Sequence, residues 1–121
     1  MRSLINTERV APWLACVCYG AWAAFSNAEH SVGSMITAFM VQGGFAFVST
    51  WLLARFIGWL IQQQQPDPRY PLVFMQCAII LIAVPATLHL AAGTPDIVEA
   101  MLPGVILGNG YAGLLIYRKR L

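Results

Sequence analysis

The sequence carries little charge for its length. Charged residues make up 10% of its 121 positions and hydrophobic residues 59%, whereas a soluble domain of this size has about 25% charge. No polar stretch is long enough for a separate soluble domain, and no basic groove with interleaved aromatic residues is present to bind nucleic acid. The composition therefore predicts an integral membrane protein and excludes a nucleic-acid-binding one.

The sequence also lacks the motifs of metal sites and of catalysis. Its cysteines, Cys16, Cys18 and Cys77, all fall within apolar stretches, and no Cys-x-x-Cys or Cys/His ligand spacing occurs. Serine-hydrolase, zinc-protease and phosphate-loop motifs are absent. Two acids, Glu8 and Asp67, are expected on the cytoplasmic side, and both lie in polar segments. We therefore expect no enzyme activity, no metal and no cofactor.

Four apolar stretches are present instead, at residues 10–26, 35–61, 71–93 and 101–117. A helix needs about 20 such residues to cross a bilayer. The connectors are short, and the two prolines in Pro66-Asp67-Pro68-Arg69 prevent one helix from running through the second and third stretches. These features predict a single all-α domain, residues 1–121, folded as a transmembrane four-helix bundle.

The basic residues all fall on one side of these four spans. The first and third connectors contain no Lys or Arg and carry Glu29, Asp96 and Glu99 instead. Because positive charge is retained in the cytoplasm during insertion, both termini are predicted to be cytoplasmic in a bacterial inner membrane. The first stretch could alternatively be a signal peptide cleaved after Ala28, but its length and aromatic content favour a retained span. The basic residues are Arg2, Arg9, Arg55, Arg69, Arg118, Lys119 and Arg120.

A shift of 66 positions brings the two halves of the chain into partial register. Both halves would run from inside to outside and back, so a duplication would be a parallel repeat about an axis along the membrane normal. Chance matching in apolar sequence is an equally good explanation, and the sequence leaves both open. The matched pairs are Met35 with Met101, Gly44 with Gly110, Phe45 with Tyr111, and Ala46 with Ala112.

Two rows of small residues are spaced four apart along predicted helices. Such rows let helix backbones approach closely, and close packing drives association between helices in lipid. The contact could lie within one chain or between chains. Because four helices enclose little interior, we expect a homo-oligomer or a subunit of a larger complex, with Gly108→Leu weakening association. The rows are Cys16, Gly20 and Ala24 on the first helix, and Gly104, Gly108 and Ala112 on the fourth.

Four polar residues within or near the spans are candidates for substrate binding. Gln42 and Asn109 are amides at similar depth, His89 lies near the outer end of the third span, and Arg55 lies near the inner end of the second. Polar groups in a membrane usually face protein or water. Each also has a purely structural explanation, namely an interhelical hydrogen bond for the amides, a solvated outer end for His89, and an arginine reaching lipid phosphate for Arg55.

The second and fourth helices end in similar apolar, basic and aromatic sequences, Leu52-Leu53-Ala54-Arg55-Phe56 and Leu115-Ile116-Tyr117-Arg118-Lys119. With its size and its four spans, the chain resembles in layout the GtrA-like family, small membrane proteins associated with moving lipid-linked sugars across the inner membrane. The Asn-Arg-Arg-aromatic ending of that family's second helix is absent. Small multidrug exporters use a glutamate in their first helix, and no acid lies between Arg9 and Asn27.

The polar residues in the spans, together with the resemblance, predict a protein that contacts membrane lipids and binds or translocates an amphipathic, lipid-linked substrate. The alternative is a non-catalytic structural or assembly subunit of a larger membrane complex, in which polar residues only fix helix packing.

Overall fold

The structure is a computed structural model that describes the backbone of residues 2–121 and the side chains from Arg9 onward. It contains four helices: α1 (Arg2–Ser26), α2 (Val32–Gln63), α3 (Tyr70–Ala92) and α4 (Ile97–Arg120). No strand occurs in the described range. The all-α, four-helix architecture expected from the sequence is therefore confirmed, and the proline-containing connector separates α2 from α3.

Three of these helices, α2, α3 and α4, are long and apolar enough to cross a membrane. This supports a multi-pass membrane protein. Within its described part, α1 does not reach the same hydropathy. Its outward surface is nevertheless apolar, since Trp13 is 64% exposed and Phe25 is 71% exposed. Exposed apolar residues at this density are unusual on a soluble monomer.

The four helices pack so that each contacts at least two others. α1 packs mainly along α2, α3 packs along both α4 and α2, and α4 also contacts α1 and α2. Among the described residues, α1 and α3 make no contact and lie on opposite sides. The main apolar core therefore joins only α2, α3 and α4, and it consists of Leu53, Ile57, Leu60, Val73, Cys77, Leu81, Ala112 and Ile116.

Small residues bring α1 and α2 into close contact. A Cβ added at Gly43 would lie 2.9 Å from the Cys16 carbonyl oxygen, and one added at Gly20 would lie 3.1 Å from the Phe39 ring. A second, smaller core cluster consists of three alanines, Ala23, Ala38 and Ala100. The first-helix row of small residues thus packs within the chain, which holds α1 against α2.

Candidate functional site

A chain of three buried polar side chains crosses from α2 to the α3–α4 turn. Nε2 of His89 lies 2.9 Å from Oε1 of Gln42, and Nδ1 lies 2.8 Å from Oγ1 of Thr94. Since the amide oxygen can only accept, Nε2 donates to it, and in the neutral ring Nδ1 accepts from the Thr94 hydroxyl. His89 is 0% exposed and Gln42 is 2% exposed. The predicted candidates Gln42 and His89 therefore meet, although they are 47 residues apart.

The turn after α3 places Thr94 in this chain. Gly93 has a φ of +79°, the left-handed conformation that favours glycine. It lets the backbone N–H of Thr94 return to the carbonyl oxygen of His89, at 3.0 Å, as in a common helix-ending motif. The Thr94 hydroxyl is thereby directed at the ring of the same residue, and it holds the His89 tautomer that Gln42 needs.

The other end of the Gln42 amide faces an open groove. No described residue accepts a hydrogen bond from its Nε2, whereas its Oε1 accepts from His89. Gly104 leaves room for this group, because a Cβ at Gly104 would lie 2.7 Å from Nε2. His89 therefore orients the amide so that its NH2 group, rather than its oxygen, is at the groove.

This groove, which we call the polar groove, has a volume of about 430 Å³. Such a volume is typical of small-molecule sites. Its polar side chains are Gln42, Ser49, Thr50, Tyr19 and Tyr111, and the rest of its surface is apolar. The remaining lining residues are Ala11, Leu14, Ala15, Cys18, Phe45, Ala46, Leu53, Leu81, Gly104 and Gly108.

A second groove, the apolar groove, runs between α2 and α3 with a volume of about 470 Å³. Phe45, Ser49, Leu53 and Leu81 line both grooves and so form the wall between them. The other lining residues are Gly44, Val48, Leu52, Phe56, Cys77, Ile80, Val84 and Leu88. Both grooves match hydrocarbon chains better than polar solutes.

The other two predicted site residues do not join this site. Nδ2 of Asn109 donates to the carbonyl oxygen of Val105, one turn back on its own helix, at 2.7 Å. Its Oδ1 is buried and has no partner among the described residues. Arg55 is exposed and lines neither groove. The two amides predicted to share a polar site therefore have separate partners.

The fourth-helix row of small residues is also directed at residues of the same chain. Gly104 faces the Gln42 amide, and a Cβ at Gly108 would lie 4.0 Å from Cδ1 of Leu81. Ala112 is 0% exposed and belongs to the main core. The two glycines of this row, Gly104 and Gly108, line the polar groove and leave it open because they have no side chain.

Sequence reasoning missed a polar network at the end of the bundle that contains the first and third connectors. Oδ1 of Asn27 accepts from the Asp96 backbone N–H at 2.8 Å, and Oδ2 of Asp96 pairs with Nε2 of His30 at 2.8 Å. Nε1 of Trp22 donates to the Glu99 carbonyl oxygen at 2.8 Å. These bonds thus tie the end of α1 and the connector after it to the start of α4. Asn27 at a helix end was the available signal, because Asn favours helix termini.

The residues whose side chains are described contain no group of three or more His, Cys, Asp or Glu that could hold a metal ion. No protein-family profile, no curated protein and no solved structure matches the chain.

Proposed function

We propose that this chain is a multi-pass protein of a bacterial inner membrane that binds or translocates an amphipathic, lipid-linked substrate. The polar groove would hold the substrate with its apolar chain along the groove and a hydrogen-bond acceptor on Nε2 of Gln42. The resemblance to GtrA-like proteins suggests the same class of substrate. In this proposal the chain has no catalytic role, because the groove offers donors and apolar surface but no acid–base pair.

The buried Gln42 amide is the observation that carries the proposal. Its oxygen is bound to His89, while its N–H donors face the groove unpaired. A polar group in an apolar span is costly unless it has a partner. A substrate carbonyl, hydroxyl or phosphate oxygen would supply that partner, and the apolar wall of the groove would accept its hydrocarbon chain.

One wall of each groove follows the 66-residue register, which supports the proposed parallel repeat. Cys77, Ile80, Leu81 and Val84 line the apolar groove, and the residues 66 positions earlier, Ala11, Leu14, Ala15 and Cys18, line the polar groove. The ends of α1 and α3, Ser26 and Ala92, are separated by the same offset. His30 and Asp96, which pair with each other, are also 66 residues apart, as expected for equivalent positions beside a twofold axis.

The transmembrane topology can be tested directly. The proposal includes α1 as a fourth span, with both termini cytoplasmic and the network of Asn27 outside. In a cysteine-free background, Ser31→Cys should react with an impermeant thiol reagent added to whole cells, and Gln63→Cys should react only after lysis. Labelling of the second variant from outside would overturn this orientation.

Substrate binding can be tested with a pair of glycine variants on α4. Gly104→Ala places a methyl group against Nε2 of Gln42, whereas a Cβ at Gly110 would meet nothing within 4 Å. We expect Gly104→Ala to abolish photocrosslinking of a polyprenyl-phosphate probe to the purified protein and Gly110→Ala to preserve it. Equal labelling of both variants would remove the polar groove from the proposal.

The second candidate is a structural or assembly subunit without a substrate. The paired polar network at the connector end favours it, because Asn27, His30, Asp96 and Trp22 hold α1 to α4 without a ligand. Such a subunit would contact its partner or a second copy through outward residues such as Trp13 and Phe25, since both rows of small residues face inward. This candidate would be favoured if the Gly104→Ala variant retained its function in cells and a variant with Trp13 replaced lost that function.

A further inference from the structure

At the end of the bundle opposite the Asn27 network, two arginines line one pocket. It has a volume of about 600 Å³ and lies where α3 begins and α4 ends. Arg69 and Arg120 supply its charge, and Tyr70, Pro71, Leu72 and Met75 supply an apolar surface beside them. The sequence makes Arg55 a candidate for substrate binding, but Arg55 lines neither groove nor this pocket.

Neither guanidinium of this pocket is neutralised by a carboxylate among the residues whose side chains are described. The salt bridge in that part of the chain joins His30 and Asp96, at the other end of the bundle. The connector is also held in place, because the Arg69 backbone N–H donates to Oε1 of Gln64 at 2.9 Å. Two like charges lining one pocket favour an anion there, and guanidinium groups match phosphate oxygens by paired hydrogen bonds.

The apolar side of the pocket indicates what the anion is attached to. Leu72 and Met75 are exposed residues in the first turns of α3, a helix long and apolar enough to cross a membrane. Tyr70, at its start, has the amphipathic character that places aromatic residues at the membrane interface. A phosphate held between the arginines would therefore lie at headgroup level, with Leu72 and Met75 beside the first methylenes of an acyl chain.

We propose that this pocket binds the phosphate of an anionic phospholipid, with the headgroup between Arg69 and Arg120 and the acyl chain along α3. The proposal requires α3 to cross the membrane, but it does not depend on the polar groove or on translocation. Basic pockets at the cytoplasmic ends of membrane helices bind anionic lipids by this chemistry. Soluble phosphate could use the same two arginines, so the test must separate the two sources.

The test compares two double variants with the same loss of charge. Arg69→Gln with Arg120→Gln removes both cations of the pocket, while Arg9→Gln with Arg118→Gln removes two exposed arginines that line no described pocket. The detergent-purified full chain would be titrated with short-chain phosphatidylglycerol or phosphatidylcholine, and bound lipid counted by native mass spectrometry. Circular dichroism would verify folding, and Arg69→Lys with Arg120→Lys would serve as a milder variant with unchanged charge.

We expect the pocket variant to bind phosphatidylglycerol about 25-fold more weakly, because each basic residue near an anionic headgroup contributes about a fivefold effect. In the matched control, the loss of phosphatidylglycerol affinity should be about tenfold smaller than in the pocket variant. Phosphatidylcholine affinity should be the same in all variants. The lysine variant should bind phosphatidylglycerol with intermediate affinity, because lysine lacks the planar fork. Equal loss in both glutamine variants would overturn the proposal, since general electrostatic attraction would then explain binding. Displacement of the lipid by an equal concentration of inorganic phosphate would overturn the assignment to a lipid.

Discussion

Replacement of His89 by leucine tests whether the buried polar chain stabilises the bundle. Leucine is close to histidine in volume, so the main change is chemical. It removes the bonds from His89 to Gln42 and Thr94, which measure 2.9 and 2.8 Å. Oε1 of Gln42 then has no donor and the Thr94 hydroxyl has no acceptor, in a region shielded from water.

The expected loss of stability follows from the number of bonds. A side-chain hydrogen bond between membrane helices contributes about 0.6 kcal/mol on average and at most about 1.7 kcal/mol. Two such bonds give an expected loss of about 1–3 kcal/mol for His89→Leu. His30→Leu is the matched control, because it removes a histidine from a pair whose side chains are 41% exposed, and such a pair contributes about 0–1 kcal/mol.

The free energy of unfolding would be measured by steric trapping or by denaturation in mixed micelles, for Gln42→Met, His89→Leu and the double variant. If the two side chains act through their mutual bond, the double variant should lose about 1 kcal/mol less than the sum of the single variants, as in other directly coupled pairs. A loss for His89→Leu no greater than that for His30→Leu, with additive behaviour of Gln42→Met, would refute the reasoning.

Two further changes test the packing of the first helix. Gly43→Ala should destabilise the fold by about 1–3 kcal/mol, because its Cβ would lie 2.9 Å from the Cys16 carbonyl oxygen. In the control Gly44→Ala, the new Cβ meets nothing within 4 Å, so this variant should be neutral or slightly stabilising in the same unfolding assay. Equal effects of the two variants would contradict the close approach of α1 and α2. Asn27→Leu should cost about 1–3 kcal/mol by leaving the Asp96 backbone N–H without its partner, and hydrogen exchange at that amide should rise; unchanged exchange would show that the bond is not formed.

The elements of the candidate site differ in how far they were predictable. Gln42 and His89 were identified from sequence because a polar residue inside an apolar span is conspicuous. Their contact was not predicted, since it depends on how α2 and α3 are rotated and on the left-handed turn at Gly93 that returns Thr94 to His89. Asn109 was equally conspicuous, but its Nδ2 bonds to its own helix backbone, which sequence spacing cannot distinguish from an interhelical contact.

The sequence by itself determined the number of helices and their approximate ends, because apolar runs, prolines and polar connectors report directly on chain segments that are helical and apolar. Tertiary structure alone decided which face of each helix meets another. In lipid, a core-facing leucine and a lipid-facing leucine have nearly the same environment, so hydropathy does not mark the buried face. The buried face is decided instead by where helices approach closely, since Gly43 lies against Cys16 and Gly104 lies against Gln42. The helix rotations that allow these contacts also leave the polar groove open beside them.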